Sequence, residues 1–484
     1  MRSACTSSVS ATLVALIFAI AGTPPCAAAV NEVHVGPNGQ YTTVSAALAA
    51  VLAAPESQNW IKIQAGVDST EHLVIPVTWT ANLIWLSGGW DPGFSSNSGN
   101  PADTVLSGGL SGRVIDILAT GGSVAISDLS VVDGWETSGA GLGVDSSGSV
   151  NVFLDDLWIH GNSAVNSGGA WGGGLDLLVD GSSTLTIDGC LIEGNVALTS
   201  GLVPTGGAAL KGSIRGTSRL DIIDTVISNN SAASESSVYG AAIDIDVDDF
   251  ADVSLVGCTL ENNIASSSGA ITVDGVALRA FVGFYASLTI ERNRFVGNGA
   301  TVPVDDEQIS ISTSGHSLAQ LRDSIVAGGP GDGLRVRADS QSLARLTNLT
   351  VAANDGDGVG LNQVMATGAV ISLANTICYA NLGLNLRIYA AAVTQTGNLI
   401  SVDPGFVDLP SLDLRFEPGS IAEDAGDPAP LGGLGDGDLR GGVRVLGTAP
   451  DVGAYEGDVD LLFSDGFDVD GPWRWSDAVG LPIS

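Results

Sequence analysis

Lysine is nearly absent from this sequence. Lys62 and Lys211 are its two lysines, and all bases together number 18 against 53 acids, a formal charge of −35. A field of that sign repels nucleic acid and anionic membrane surfaces, so neither is an expected partner. Cysteine is scarce as well. Of five, Cys5 and Cys26 fall in an N-terminal segment with the features of a removable leader, which leaves Cys190, Cys258 and Cys378. That odd number is too sparse for a disulfide framework, so the three are expected as small buried apolar groups. Long apolar runs are missing too: Ala11 to Ala21 is too short to cross a bilayer, and no later stretch suffices. Charged residues make up 15%, against about 25% in an average globular chain.

Glycine is what the chain has in excess. There are 65 among 484 residues, roughly twice the usual ~7%. They show no three-residue period, which excludes collagen, and a hydrophobic content of 44% excludes a disordered chain. At the N-terminus a single base, Arg2, precedes the apolar run, and Ala27-Ala28-Ala29 follows it. This is the pattern of a secretory signal peptide cut near Ala29, so residues 1–29 are expected to be removed.

A repeat organises the rest. Leu185-Thr-Ile-Asp-Gly-Cys-Leu-Ile-Glu-Gly-Asn195 recurs from Leu220, Val253 and Leu288, with weaker copies from Val124, Val152, Ala319, Ala344 and Ile371. Apolar residues at the first, third, sixth and eighth positions predict two short strands joined by a two-residue turn. The last position forms a column, Asn162, Asn195, Asn230, Asn263, Asn298, Gly329, Asn354 and Asn381, with spacings of 33, 35, 33, 35, 31, 25 and 27. A third short strand follows each member. Three strands per turn at that variable period is the arithmetic of a parallel β-helix; a leucine-rich repeat holds a tighter period, and a propeller blade needs four strands and about 40 residues. About twelve coils are expected, a rod of about 60 Å at ~4.8 Å per coil. Cys190 and Cys258 share an inward position two coils apart, roughly 9–10 Å and beyond disulfide reach. A helix capped by Thr43, with Val44, Ala47, Leu48, Val51 and Leu52 apolar, is placed to cover the first coil.

The opening, His34-Val-Gly-Pro-Asn-Gly-Gln-Tyr-Thr-Thr43, the helix and Ile61-Lys-Ile-Gln-Ala-Gly66, resembles that of secreted right-handed β-helix proteins such as pectin esterases and pectate lyases. The segments Leu86-Ser-Gly-Gly-Trp-Asp91, Thr104-Val-Leu106 and Gly112-Arg-Val114 are similar to bacterial members of that group. Gly161-Asn162 followed by Gly172-Gly-Gly174 resembles the repeats of polymorphic outer-membrane proteins. Toward the C-terminus, Val402-Asp-Pro-Gly-Phe-Val-Asp408, Leu412-Asp-Leu-Arg-Phe-Glu-Pro-Gly-Ser420, Asp424-Ala-Gly-Asp427 and Ala449-Pro-Asp-Val-Gly-Ala-Tyr-Glu456 resemble a choice-of-anchor module of bacterial surface proteins. The resemblances imply an all-β, right-handed parallel β-helix of the pectate-lyase-like superfamily, secreted or held at the surface of a bacterial envelope. The expected divisions are 30–110 for the cap and first coils, 111–398 for the β-helix, 399–457 for the module and 458–484 for an acidic tail.

Chemistry is harder to locate. Alternation in the third strand predicts one outward row of Asp176, Lys211, Asp244, Thr272, Arg335 and Asn385, and a second of Asp145, Asp246, Asp274, Arg337 and Arg387. The polysaccharide-active relatives carry their sites on this sheet, which makes Asp176, Lys211 and Asp244 the catalytic candidates. A surface charge ladder explains them equally well. The segments 163–171, 196–207 and 231–240 are candidate walls of a groove. Asp244, Asp246 and Asp248 share a face, and Asp436 and Asp438 share a glycine-rich loop; both are candidate Ca²⁺ ligands, since a hard cation relieves carboxylate repulsion, and no other cofactor is called for. Trp135, Trp158 and Trp171, with Arg335 and Arg337, are the candidate carbohydrate contacts. His160 has no nucleophile beside it and reads as structural. The expectation is a monomer, without a transmembrane segment in its mature form, that presents a binding face to a polysaccharide or cell-surface glycan. The alternative is a polysaccharide lyase or glycoside hydrolase acting on the third-strand sheet.

Overall fold

The computed structural model describes residues 30–78, 82–267, 272–301, 306–363, 368–389 and 393–457. The expected signal peptide and the acidic tail lie outside them. The chain is a parallel β-helix. Successive coils pair in register, Leu175 with Leu210 and then Ile243, Leu185 with Leu220 and then Val253. Short strands running from Asp68–Thr70 to Leu399–Ile400 form a 12-stranded sheet, one strand for each of the twelve coils expected.

The middle coils hold more strands than the three expected. The two strands of the repeat (Thr184–Asp188 and Leu191–Glu193 in one coil) and the third strand (Leu175–Val179) are present. A further strand follows the Asn column in the middle coils, as in Val196–Thr199, Ser231–Ser234 and Ile264–Ser267. Three coils add one more, Thr205–Gly206, Ser237–Tyr239 and Thr272–Asp274. The expected groove walls are therefore stacked sheets, with a small core of their own built from Ala197, Ala232, Val238, Ala265 and Val273.

The inward rows merge into one apolar cluster from Val33 to Cys378, which is how a solenoid stabilises coils that cannot fold singly. The helix Val44–Ala53 closes its first end, burying Val44, Ala47, Leu48 and Val51. Thr43 accepts from Ala46 N at 3.2 Å, while the Glu71 carboxylate accepts from Val44 N and Ser45 N at 2.9 and 2.6 Å. An anion at a helix N-terminus is favourable, and here it ties the cap to the coils.

The Asn column is a continuous ladder. Each side-chain amide donates to the next coil's Oδ1, 3.0 Å from Asn162 to Asn195, from Asn195 to Asn230 and from Asn230 to Asn263, then 2.9 Å to Asn298. Gly329 has no amide to offer. Gln308 replaces it, accepting from Asn298 at 3.0 Å and donating to Asn354 at 2.8 Å. A Cβ on Gly329 would lie 2.7 Å from the Gln308 chain, so only glycine admits the substitute. Asn381 and Asn385 complete the column, which removes Asn385 from the outward row.

Residues from Phe406 to Tyr455 lie along the flank of the solenoid. Leu414, Ala422, Val452 and Ala454 cover Ile325, Ala327, Ala352 and Ile377, apolar residues on the outer side of the short-strand sheet. The nearly inaccessible Arg444 guanidinium donates to Asp451 O and Gly453 O, each at 2.7 Å, and faces Asp323 at 3.6 Å. Asn375 clasps Asp427 through both side-chain atoms, at 2.6 and 3.0 Å.

Cys190, Cys258 and Cys378 are free and buried. Burial raises all three thiols, Cys258 to about 12 and the other two further. A thiol-directed alkylating reagent at pH 8 is therefore expected to leave all three unmodified in the native protein and to label them after denaturation. Mass spectrometry of native samples showing a modified peptide would contradict this core placement.

Candidate functional site

The outer face of the third-strand sheet follows from strand pairing. Asp116, Gly143, Asp176, Lys211, Asp244, Arg279, Ser310, Arg335, Gly360 and Arg387 occupy one row. Thr272 does not belong to it. Thr272–Asp274 is an added strand beside Ser237–Tyr239, and the row continues one strand later with Arg279 in Leu278–Val282. The second row runs Leu118, Asp145, Leu178, Ser213, Asp246, Phe281, Ser312, Arg337 and Asn362. Asp274 and Arg387 therefore leave it.

From Asp176 to Arg279 the charges of the first row alternate, and Lys211 and Arg279 pair with Asp244. Lys211 Nζ lies 2.8 Å from Asp244 and 2.7 Å from Asp246. Arg279 Nη1 lies 2.7 Å from Asp244 and 3.1 Å from Asp246. Asp244 is 1% exposed, so its charge depends on both cations. Burial opposes the Lys211 charge, but the two aspartates outweigh it and hold the ammonium above its ordinary range. Likewise burial raises Asp246, and the two cations more than reverse the effect. A lysine held this way is a poor general base, which needs the neutral amine. Asp176 is engaged by the Ser138 hydroxyl, and Arg113 reaches over Gly143 to Asp116 at 2.6 Å.

The carboxylate repulsion that suggested calcium is relieved by the chain's own cations. Asp248 lies beyond the strand and accepts from Asp249 N at 3.0 Å. Asp436 is exposed, whereas the buried Asp438 accepts from Arg440, Gly442 and Glu456 amides and from Arg440 Nε at 3.1 Å. Among the described residues no three or more Asp, Glu, His or Cys side chains are placed to share a metal ion.

The aromatic candidates separate. Trp171 stands beside the row, with Lys211 Nζ 5.5 Å from its ring. Trp135 is 45% exposed in the sheet beyond the Asn column. Trp158 belongs to the short-strand sheet, where it donates to Glu193 at 2.9 Å and stacks on His160 at 3.9 Å. Burial lowers that imidazole below its usual value, in keeping with a structural His160.

Two features escaped the sequence. In the first, Glu307 is fully buried and faces Arg335 Nη1 at 3.1 Å, with neither carboxylate oxygen hydrogen-bonded among the described residues. Burial, reinforced by Asp274, lifts Glu307 well above the usual carboxylate range against the pull of Arg335. Asp274 in turn lies 3.8 Å from Arg279 Nε. In the second, Phe250, Tyr285 and His316 stack across three coils at 5.0 and 5.1 Å, with Phe250 and Tyr285 mostly exposed. All three have left-handed backbone, φ 72°, 56° and 64°. Exposed Phe284 lies over Gly315, and Phe281 sits beside Asp246 in the second row. Arg337, two strands on in that row, is exposed and makes no ion pair among the described residues. The clue lay in Leu278-Arg-Ala-Phe-Val-Gly-Phe-Tyr285, which a reading anchored on tryptophan passes over.

No family model matches the chain, and no curated protein matches it. Among solved structures it is similar to one titled as the crystal structure of pectate lyase Pel9A, with a TM-score of 0.47 and 12% identity over 89% of this chain and 96% of that one.

Proposed function

We propose that this β-helix binds carbohydrate on the outer face of its third-strand sheet. The observation that carries the reading is the aromatic column beside the ionic row. A left-handed backbone costs a non-glycine residue roughly 1–2 kcal/mol, and an aromatic pair returns about 0.5–1.5 kcal/mol. Two stacked pairs thus return less than three left-handed residues cost, and a ligand that covers the rings supplies a reason for their placement. Sugar rings present C–H faces to aromatics and hydroxyls to charged groups; Phe281, Phe284, Tyr285 and Arg337 offer both kinds of contact side by side. In this reading the protein acts outside a bacterial cell, with residues 1–29 directing export and 399–457 serving as the surface module.

The test is a polysaccharide panel in affinity electrophoresis. Phe284→Ala with Tyr285→Ala is expected to weaken retention at least about tenfold while leaving the far-UV circular dichroism unchanged. Retention equal to that of the parent would overturn the proposal. A second reading rests on Asp274 and Glu307, since a buried carboxyl whose burial favours its neutral form, with a second acid close by, is part of the equipment of a glycoside hydrolase. Release of reducing ends, abolished by Asp274→Asn, would put that reading in place of the first.

A further inference from the structure

A cleft of about 440 Å³ opens between the short-strand sheet and the C-terminal residues packed on it, and its lining is unlike the rest of the molecule. Arg292, Arg294 and Arg440 line it together with Thr259, Leu439, Gly441 and the single acid Asp224. In a chain of 53 acids and 18 bases, a lining of three arginines and one aspartate is unusual, though Asp438 and Glu291 stand behind Arg440 and Arg292 and Asp413 feels Arg294.

The arginines are held in place. Arg440 Nε is 3.1 Å from Asp438, its Nη2 donates to Glu456 O at 2.6 Å, and its guanidinium lies 5.6 Å from the Tyr455 ring. Arg294 Nη1 donates to the Tyr455 hydroxyl at 3.3 Å and makes no ion pair among the described residues. Arg292 keeps a long contact of 3.4 Å with Glu291, whose nearer partner is Arg322 at 2.7 Å. Arg292 also sits in the left-handed turn column, where Asp128, Asp156 and Asp224 stand in other coils, and an arginine gains nothing from that turn. The next member, Gly257, lets the Asp224 carboxylate lie across it; a Cβ there would come within 2.1 Å of Asp224 Oδ1. The Arg294 guanidinium, anchored on one edge by Tyr455, still presents N–H donors on another, in the planar fork that suits an oxyanion.

We infer that this cleft binds a multiply charged oxyanion, a phosphate or sulfate group, with room for a sugar residue that carries it. The site lies on a different sheet from the proposed carbohydrate face and does not depend on it. The two halves of its lining come from the coils and from the C-terminal residues, so occupancy would fasten one to the other.

Titration calorimetry and thermal melts of the full chain with inorganic phosphate, inorganic sulfate, galactose 6-sulfate and galactose test this. Phosphate or sulfate is expected to bind and raise the melting temperature, and galactose is not. Arg292→Gln with Arg294→Gln, both partly exposed positions, should weaken oxyanion binding at least about tenfold. Arg292→Lys, which keeps the charge but loses the fork, should fall between. Tighter binding of galactose 6-sulfate than of inorganic sulfate identifies a substituted glycan as the ligand, and equal binding identifies the free anion. A parent protein that binds none of the three oxyanions would overturn the inference, as would a double variant that binds them unchanged. Neither outcome bears on the aromatic face, which Phe284→Ala and Tyr285→Ala test separately.

Discussion

Replacing Asn230 with alanine is expected to destabilise the protein by about 3–5 kcal/mol. The side chain has no exposed surface and sits mid-ladder. Its amide donates to Ile192 O at 2.9 Å, Ser228 O at 3.0 Å and Asn263 Oδ1 at 3.0 Å, while its Oδ1 accepts from Asn195 N and Asn195 Nδ2, both at 3.0 Å. A typical hydrogen bond contributes about 1 kcal/mol net, and a buried group left without a partner costs about 1–3 kcal/mol. Alanine removes five bonds and strands groups in two neighbouring coils, at a turn that water reaches poorly. The contrast is Asn229, the exposed neighbour with φ 56°, where alanine should cost at most about 1–2 kcal/mol through its backbone alone. Thermal melts of the two variants against the parent measure both effects. A fall of about 10 °C or more is expected for Asn230→Ala, and a change no larger than that of Asn229→Ala would show that the ladder does not hold the coils together.

The protein should also be more stable near pH 5 than near pH 8. Asp128, Asp155, Asp156 and Asp188 crowd the turns of successive coils without a cation among them. Burial first, then the neighbouring charges of Asp156, Asp188 and Asp128, raises Asp155 to about 7. Burial and Asp128 raise Asp156 to about 6. Under the C-terminal residues, burial outweighs Arg444 and raises Asp323 to about 7, and burial together with Asp451 raises Glu456 to about 7. A carboxyl whose pKa is higher folded than unfolded holds more protons in the native state. Its contribution is complete below the unfolded value and is lost as pH rises through the folded one. The window here runs from roughly pH 4 to pH 7, and Asp155 alone, 6% exposed, accounts for on the order of 2–4 kcal/mol across it. Below that window the trend reverses, because Asp246, Glu32 and Asp413 are held low and lose their stabilising charge on protonation. Melts across pH 4–9 should peak near pH 5. Asp155→Asn should raise the melting temperature at pH 8 and flatten the slope. A melting temperature that climbs steadily from pH 5 to pH 8 would refute the account.

Much of the architecture was legible because a solenoid writes its period into the chain. Asparagine every 25 to 35 residues and paired apolar alternations specify a coil, and a coil in register specifies its neighbours. Cys190 and Cys258 were assigned to inward positions by that logic, and the structure leaves both buried and unpaired. The helix Val44–Ala53 was legible from Thr43 and five apolar positions. The site was read less well, for a physical reason. An outward row is set by which strand stacks on which, and an added strand shifts the assignment without altering the alternation. Thr272 and Arg279 both sit in plausible strands, seven residues apart, and only the pairing of Asp244 with Arg279 decides between them. Gln308 takes the ladder position that Gly329 cannot fill because two chain segments meet in space. The same holds for Glu307 facing Arg335, for the rings of Phe250, Tyr285 and His316, and for the arginines around the flank cleft. The sequence by itself determined the coil, its core and its N-terminal capping helix, because those depend on local periodicity. Which charges meet across coils, and so where the molecule can bind, was decided by the tertiary structure, because an added strand changes which residue stacks on which without altering the repeat.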